Sequence, residues 1–198
     1  MNNLGLKFNI YDQIGYLLVG TIGLLIIYFN SILLNIYYLP EPNLSVFIVW
    51  IVIAYFLGHL IQAMANIFVK EKKEDFSESE KQLLNIARDF FEVKNLSDGE
   101  VWNLCYMLGV AKDPSGQIQA FNAYYSLYRG WFIVFLAETI FLSGYIFFFF
   151  SLKNLTLWVV SGLIAFLFFL RLKRFYYHLK NKVFQTFIII IRIDFKEK

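Results

Sequence analysis

Residues 44–69 read LSVFIVWIVIAYFLGHLIQAMANIFV, twenty-six positions without one full charge. A helix needs about 20 apolar residues to cross roughly 30 Å of hydrocarbon, and this run is long enough. Three more such runs follow from the same search. Ile14–Leu39 is uncharged, Trp131–Leu152 is broken only by Glu138, and Leu155–Leu170 is shorter and draws on its flanks. A fifth run, Val183–Ile191, is too short to span and meets Arg192 directly. The first run is far longer than the apolar core of a signal peptide and has no small-x-small cleavage site after it, so it reads as a retained anchor.

The rest of the chain agrees with a membrane protein. Of 198 residues, 59% are hydrophobic, 20% aromatic and only 17% charged. Soluble domains have about 25% charged residues, and a chain this short has too little interior to bury so much apolar surface. Disorder is excluded by the same numbers. A single cysteine, Cys105, rules out an internal disulfide framework and a multi-cysteine metal site.

Pro40-Glu41-Pro42-Asn43 joins the first two spans as a rigid turn, and Lys153-Asn154 joins the last two. The expected fold is therefore all-α: a polytopic membrane protein with four transmembrane helices in two hairpins and a helical cytoplasmic segment. Its expected parts are 1–69 (N-terminal segment and first hairpin), 70–130 (cytoplasmic segment), 131–172 (second hairpin) and 173–198 (basic aromatic tail). Of the 18 basic residues, 17 fall in the N-terminal stretch, the middle segment and the tail. Lys and Arg remain on the cytoplasmic side, so both termini and the middle segment are expected there.

The middle segment carries eight basic and ten acidic residues, which gives it no general affinity for nucleic acid. Ser77 with Glu80, and Ser97 with Glu100, are spaced as capping boxes. Leu83, Leu84, Ala87 and Phe90, then Val101, Trp102, Cys105 and Leu108, mark two amphipathic helices. Their apolar faces are expected to pack on each other. Asp113-Pro114-Ser115-Gly116 is a turn. From Gln117 the pattern of Ile118, Phe121, Tyr124, Tyr125 and Tyr128 runs into the third span, as one continuous helix.

An ionisable residue within a span is a candidate functional group, because burying it costs free energy. Glu138 lies nine residues past Arg129, His59 eleven before Lys70 and Gln62 eight before it. At 1.5 Å per residue these fall roughly 12–16 Å from the basic edge. Ser161 and Thr21 are counted to the same depth, and Tyr55, His59, Gln62 and Asn66 share one helix face. One polar layer is thus expected from Glu138, His59, Gln62 and Ser161. Three roles are open to it: hydrogen bonding between helices, a protonatable or ion-conducting layer in an oligomer, or contact with a lipid or small ligand. Gly20, Gly23, Gly58 and Gly162 fit close helix contact.

The tail has two readings. Arg171, Lys173 and Arg174 suit positive-inside anchors, Phe175, Tyr176 and Tyr177 an interfacial belt, and 183–195 a segment lying in the interface or pairing with another chain. Basic and aromatic residues together also hold single-stranded RNA. Arg129, Arg171, Arg174, Tyr177 and His178 are the candidate contacts for RNA or a partner. Six residues separate Arg171 from His178, an Arg-x-His spacing used by metal-independent RNases. Leu172 replaces the usual polar neighbour, so nuclease chemistry is not expected. No phosphate loop, paired metal histidines or serine elbow occurs, and no metal or cofactor is expected.

This layout of about 200 residues, four spans in two hairpins, a helical cytoplasmic segment and the tail FYYHLKNKVFQTF (175–187) resembles a known group. It is similar to the small membrane accessory proteins encoded beside the RNA-guided RNase of type VI-B CRISPR systems. The resemblance implies a non-enzymatic, multi-pass protein of the bacterial inner membrane that modulates an antiviral RNA-targeting response. Its partners would be the lipid bilayer, further copies of itself, and the RNA-guided RNase or its RNA, with altered membrane permeability as the effect. The other readings are a small channel or transporter subunit, or a membrane adaptor, unrelated to immunity.

Overall fold

The computed structural model describes residues 10–34, 44–69, 76–113 and 115–194. The turn expected at Pro40–Asn43, the N-terminal Lys7, Lys70, Lys72, Lys73, Pro114, Lys196 and Lys198 lie outside them. The described chain is all-helical: α1 (Ile10–Leu34), α2 (Leu44–Phe68), α3 (Glu78–Phe90), α4 (Asp98–Lys112), α5 (Gln117–Phe148) and α6 (Leu152–Asp194). Helices α1, α2, α5 and α6 are long and apolar enough to cross a membrane. Two compact units result, one from 1–69 with 123–173 and the other from 70–122 with 174–198. Both α5 and α6 contribute to each unit.

In the first unit, α1 and α2 meet backbone to backbone. Gly20 faces the Ala54 carbonyl and Gly58 faces the Tyr16 carbonyl, so closely that a Cβ at either glycine would overlap the carbonyl opposite. Small residues permit this approach, which maximises dispersion contact where lipid offers no hydrophobic drive. Gly162 has ordinary space beside Thr139 and marks no such crossing. Val19, Ile61, Ala65, Ile133 and Val134 form the buried centre of α1, α2 and α5. Phe168 of α6 packs on Trp131 and Phe135 of α5, and the Trp158 indole donates to Ser143 Oγ at 2.7 Å. Large apolar side chains such as Phe47, Ile48, Phe56, Leu60 and Ile67 cover the outside of α2.

The link between α5 and α6 is Phe149–Ser151, not Lys153-Asn154. Ser151 Oγ accepts the Asn154 amide at 3.1 Å and starts α6 early, so Lys153 and Asn154 lie in its first turn. Lys153 Nζ donates to the Leu33 carbonyl at 2.7 Å, and Tyr145 donates to the Leu34 carbonyl at 3.2 Å. These donors satisfy carbonyls left open at the end of α1.

The second unit is a helical core. Ser77 and Ser97 each accept the amide three residues on, and Glu80 and Glu100 return the contact, so both capping boxes form. Helix α3 ends with Val93 N–H on the Arg88 carbonyl and Glu92 at φ 56°, the left-handed residue of a Schellman-type stop. Arg88 then ties the following loop by donating to the Leu96 carbonyl and to Asp98. Leu84, Ala87, Val101, Trp102 and Cys105 pack together as expected, but also on Leu179, Val183, Phe184 and Phe187 of α6. The stretch from Val183, expected to lie in the interface or pair with another chain, instead packs on α3 and α4 of its own chain. Its apolar face finds protein, with Val183 and Phe187 fully buried.

Candidate functional site

The Glu138 carboxylate is placed by α5 against α1, where Asn30 Nδ2 donates to its Oε2 at 2.8 Å. Asn30 is only 8% exposed. No hydrogen bond to Glu138 Oε1 is found among the described residues. The pair forms the polar point on the wall of a groove of about 290 Å³ between α1, α2 and α5. The remaining lining is apolar, including Gly23, Leu57, Ile61 and Val134, and no basic side chain among the described residues belongs to it.

Of the single layer expected from Glu138, His59, Gln62 and Ser161, Gln62 and His59 are placed away from Glu138, while Gly162, next to Ser161, lies beside Thr139. Gln62 Nε2 donates to the Ser126 carbonyl at 2.8 Å. Ser126 precedes Glu138 by twelve residues on α5, roughly 18 Å along the axis. His59 stacks on the Tyr16 ring at 4.0 Å and meets the edge of Tyr55 at 4.6 Å. Ser161 is buried on α6, while Thr21 returns its hydroxyl to the Leu17 carbonyl of its own helix. The depth count took Arg129 and Lys70 as one edge. Gln62 instead sits opposite a residue before Arg129, so the two helices are offset and equal counts do not give equal heights. Asn30, the partner that matters to Glu138, was missed. Asparagine carries no charge to draw notice, and the contact joins positions 108 apart.

Near Gln62, Gly130 leaves room for Val19 and for the Gln62 amide. Arg129 lies over the Tyr125 ring, 5.2 Å from its centroid. Gln62 Oε1, Arg129 Nε and Trp131 Nε1 are buried without a hydrogen-bond partner among the described residues.

In the second unit, His178 packs on Phe121 at 5.9 Å and Phe175 at 6.3 Å, and Arg174 Nε approaches His178 Nε2 at 3.4 Å. It is Arg174, one turn away on α6, that meets the histidine. Arg171 is exposed and belongs to the other unit. Tyr177 is 59% exposed. Beside them Lys180 Nζ bridges to Glu80 Oε1 at 2.9 Å and lies over Phe76. Burial raises the Glu80 carboxyl, but hydrogen bonds from Ser77 and Lys180 outweigh it and hold it below the usual range. Burial pushes the Cys105 thiol up to about 12, which removes it as a nucleophile at neutral pH.

Comparison with protein-family models, with curated proteins and with solved structures gives no match to this chain.

Proposed function

We propose that this chain is a non-enzymatic, multi-pass accessory protein of the bacterial inner membrane that modulates an antiviral, RNA-guided RNase of the type VI-B CRISPR class. It acts as an oligomer that changes membrane permeability. Both chain ends and the middle segment face the cytoplasm, where Arg129, Arg171, Arg174, Tyr177 and His178 meet the RNase or its RNA. The Glu138–Asn30 pair belongs to the part that acts in the bilayer.

The reading is carried by the division of α6. Its residues 152–173 belong to the unit of apolar helices, and its residues 174–194 to a folded unit with a charged exterior. This division supports a helix that combines a span with a contact surface outside the bilayer. The tail's burial against α3 and α4 supports partner contact through its exposed side, Arg174 and Tyr177, rather than through its apolar side.

Co-expression with a type VI-B RNase and a guide against a phage transcript tests it. The chain is expected to change plaque counts at least tenfold against empty vector, and Glu138→Gln to remove that change. Equal plaque counts with and without the chain refute the accessory role. The Glu138 groove also favours a second reading, a small channel or transporter subunit. Dye or ion flux from proteoliposomes without any RNase, lost in Glu138→Gln, together with unchanged plaque counts, would select it.

A further inference from the structure

A larger groove of about 420 Å³ lies between α1 and α2, but its lining offers only the Thr21 hydroxyl and two aromatic polar edges, with no charge to select a ligand. The smaller groove at Glu138 differs in kind. A carboxylate there is held by one neutral donor, Asn30, and one of its oxygens has no hydrogen bond among the described residues. Leu57, Ile61 and Val134 supply apolar walls beside it, and no Lys, Arg or His among the described residues lines the space. An ionised carboxylate in apolar surroundings is costly unless paired, and none of the described residues brings a cation to this one. Charge complementarity and the apolar walls define the class of ligand that fits the groove.

We propose that the groove between α1, α2 and α5 binds a lipophilic cation, an ammonium-type head on an apolar body, with the head against Glu138 and the body along Ile61 and Val134. Asn30 positions the carboxylate by holding Oε2, which leaves Oε1 for the head. The volume, near the lower end for small-molecule sites, suits a single short amphiphile. This site goes beyond the accessory reading and does not depend on it.

The test uses the full chain in nonionic detergent micelles, titrated calorimetrically with decyltrimethylammonium and with decyl sulfate, each corrected for empty micelles. Wild type is expected to bind the cation at least tenfold more tightly than the anion. The chain carries a net charge of +3, which by itself favours the anion, so this preference cannot come from overall charge. Glu138→Gln is expected to abolish the preference, and Ile61→Trp, which fills the groove, to weaken cation binding at least tenfold with Glu138 intact. Equal binding of cation and anion by wild type would mark an acyl-chain groove and overturn the proposal. Binding of neither ligand, with the chain running as a dimer, would mark a face covered by a second copy and also overturn it. So would a preference retained in Glu138→Gln. The wild-type comparison decides even where a variant fails to fold.

Discussion

Replacing Gly20 or Gly58 by alanine tests the α1–α2 crossing directly. A Cβ at Gly20 would overlap the Ala54 carbonyl oxygen and stand 2.6 Å from its carbon and 2.7 Å from the Gly58 nitrogen. At Gly58 it would overlap the Tyr16 carbonyl oxygen and stand 2.6 Å from that carbon. All these obstacles are backbone, so no rotamer change relieves them and the helices must separate by on the order of 1 Å. A gap of that size forfeits about a quarter to a half of each dispersion contact along the seam. It also loosens the Tyr16–His59 stack beside Gly58. Overpacking of this kind costs about 1–3 kcal/mol, or about a 5- to 150-fold shift in the unfolding equilibrium. Gly144 has nothing within 4 Å and is the control; alanine there gains up to about 1 kcal/mol of helix propensity. Gly23 meets only side-chain tips at 3.2 Å and falls between. SDS titration of the chain in mixed micelles, followed by circular dichroism, gives the midpoints. The double variant should cost less than the sum, because the first separation makes room for the second. Equal midpoints for Gly20→Ala, Gly58→Ala and Gly144→Ala would refute the close crossing.

Further outcomes follow from the second unit. Phe187→Ala removes a fully buried ring that touches Phe90 and Phe91 and should cost about 3–5 kcal/mol; hydrogen exchange of α3 and α4 amides should speed up, and unchanged exchange would show that α6 is not part of that core. Glu80 is held low in the folded chain, so its stabilisation is present above the ordinary value of 4.5 and is lost as pH falls through the lowered one. The gap in thermal midpoint between wild type and Glu80→Gln should therefore be largest near pH 7 and shrink as pH falls below 4.5, and a gap independent of pH would contradict the Glu80–Lys180–Ser77 arrangement. The Cys105 thiol, raised from 9.0 to about 12, should resist iodoacetamide at pH 8 in the folded chain and react once unfolded. The same shift stabilises the fold below pH 9 and fades as pH rises toward 12; rapid labelling of native protein would be inconsistent with its burial.

What the sequence determined on its own is whatever depends on a few neighbouring residues or on solvent. Long apolar runs with at most one charge allow few environments, so four long apolar helices were legible. Ser77–Glu80 and Ser97–Glu100 close within one turn, so both caps were legible too. Other features depended on how distant helices meet. Glu138 finds Asn30 rather than Gln62 or His59 because α2 and α5 are offset, and a count from basic residues cannot supply that offset. Leu179, Val183 and Phe187 show the same apolar periodicity whether they face lipid headgroups or protein, and only the position of α3 and α4 turns that face into a core. Arg171 and His178 have a suggestive spacing, yet Arg174 is the arginine that reaches the ring, since one turn of helix aligns them and two turns do not close the distance. Tertiary structure alone decided these partners, because register between helices is a property of the packed assembly and not of any one segment.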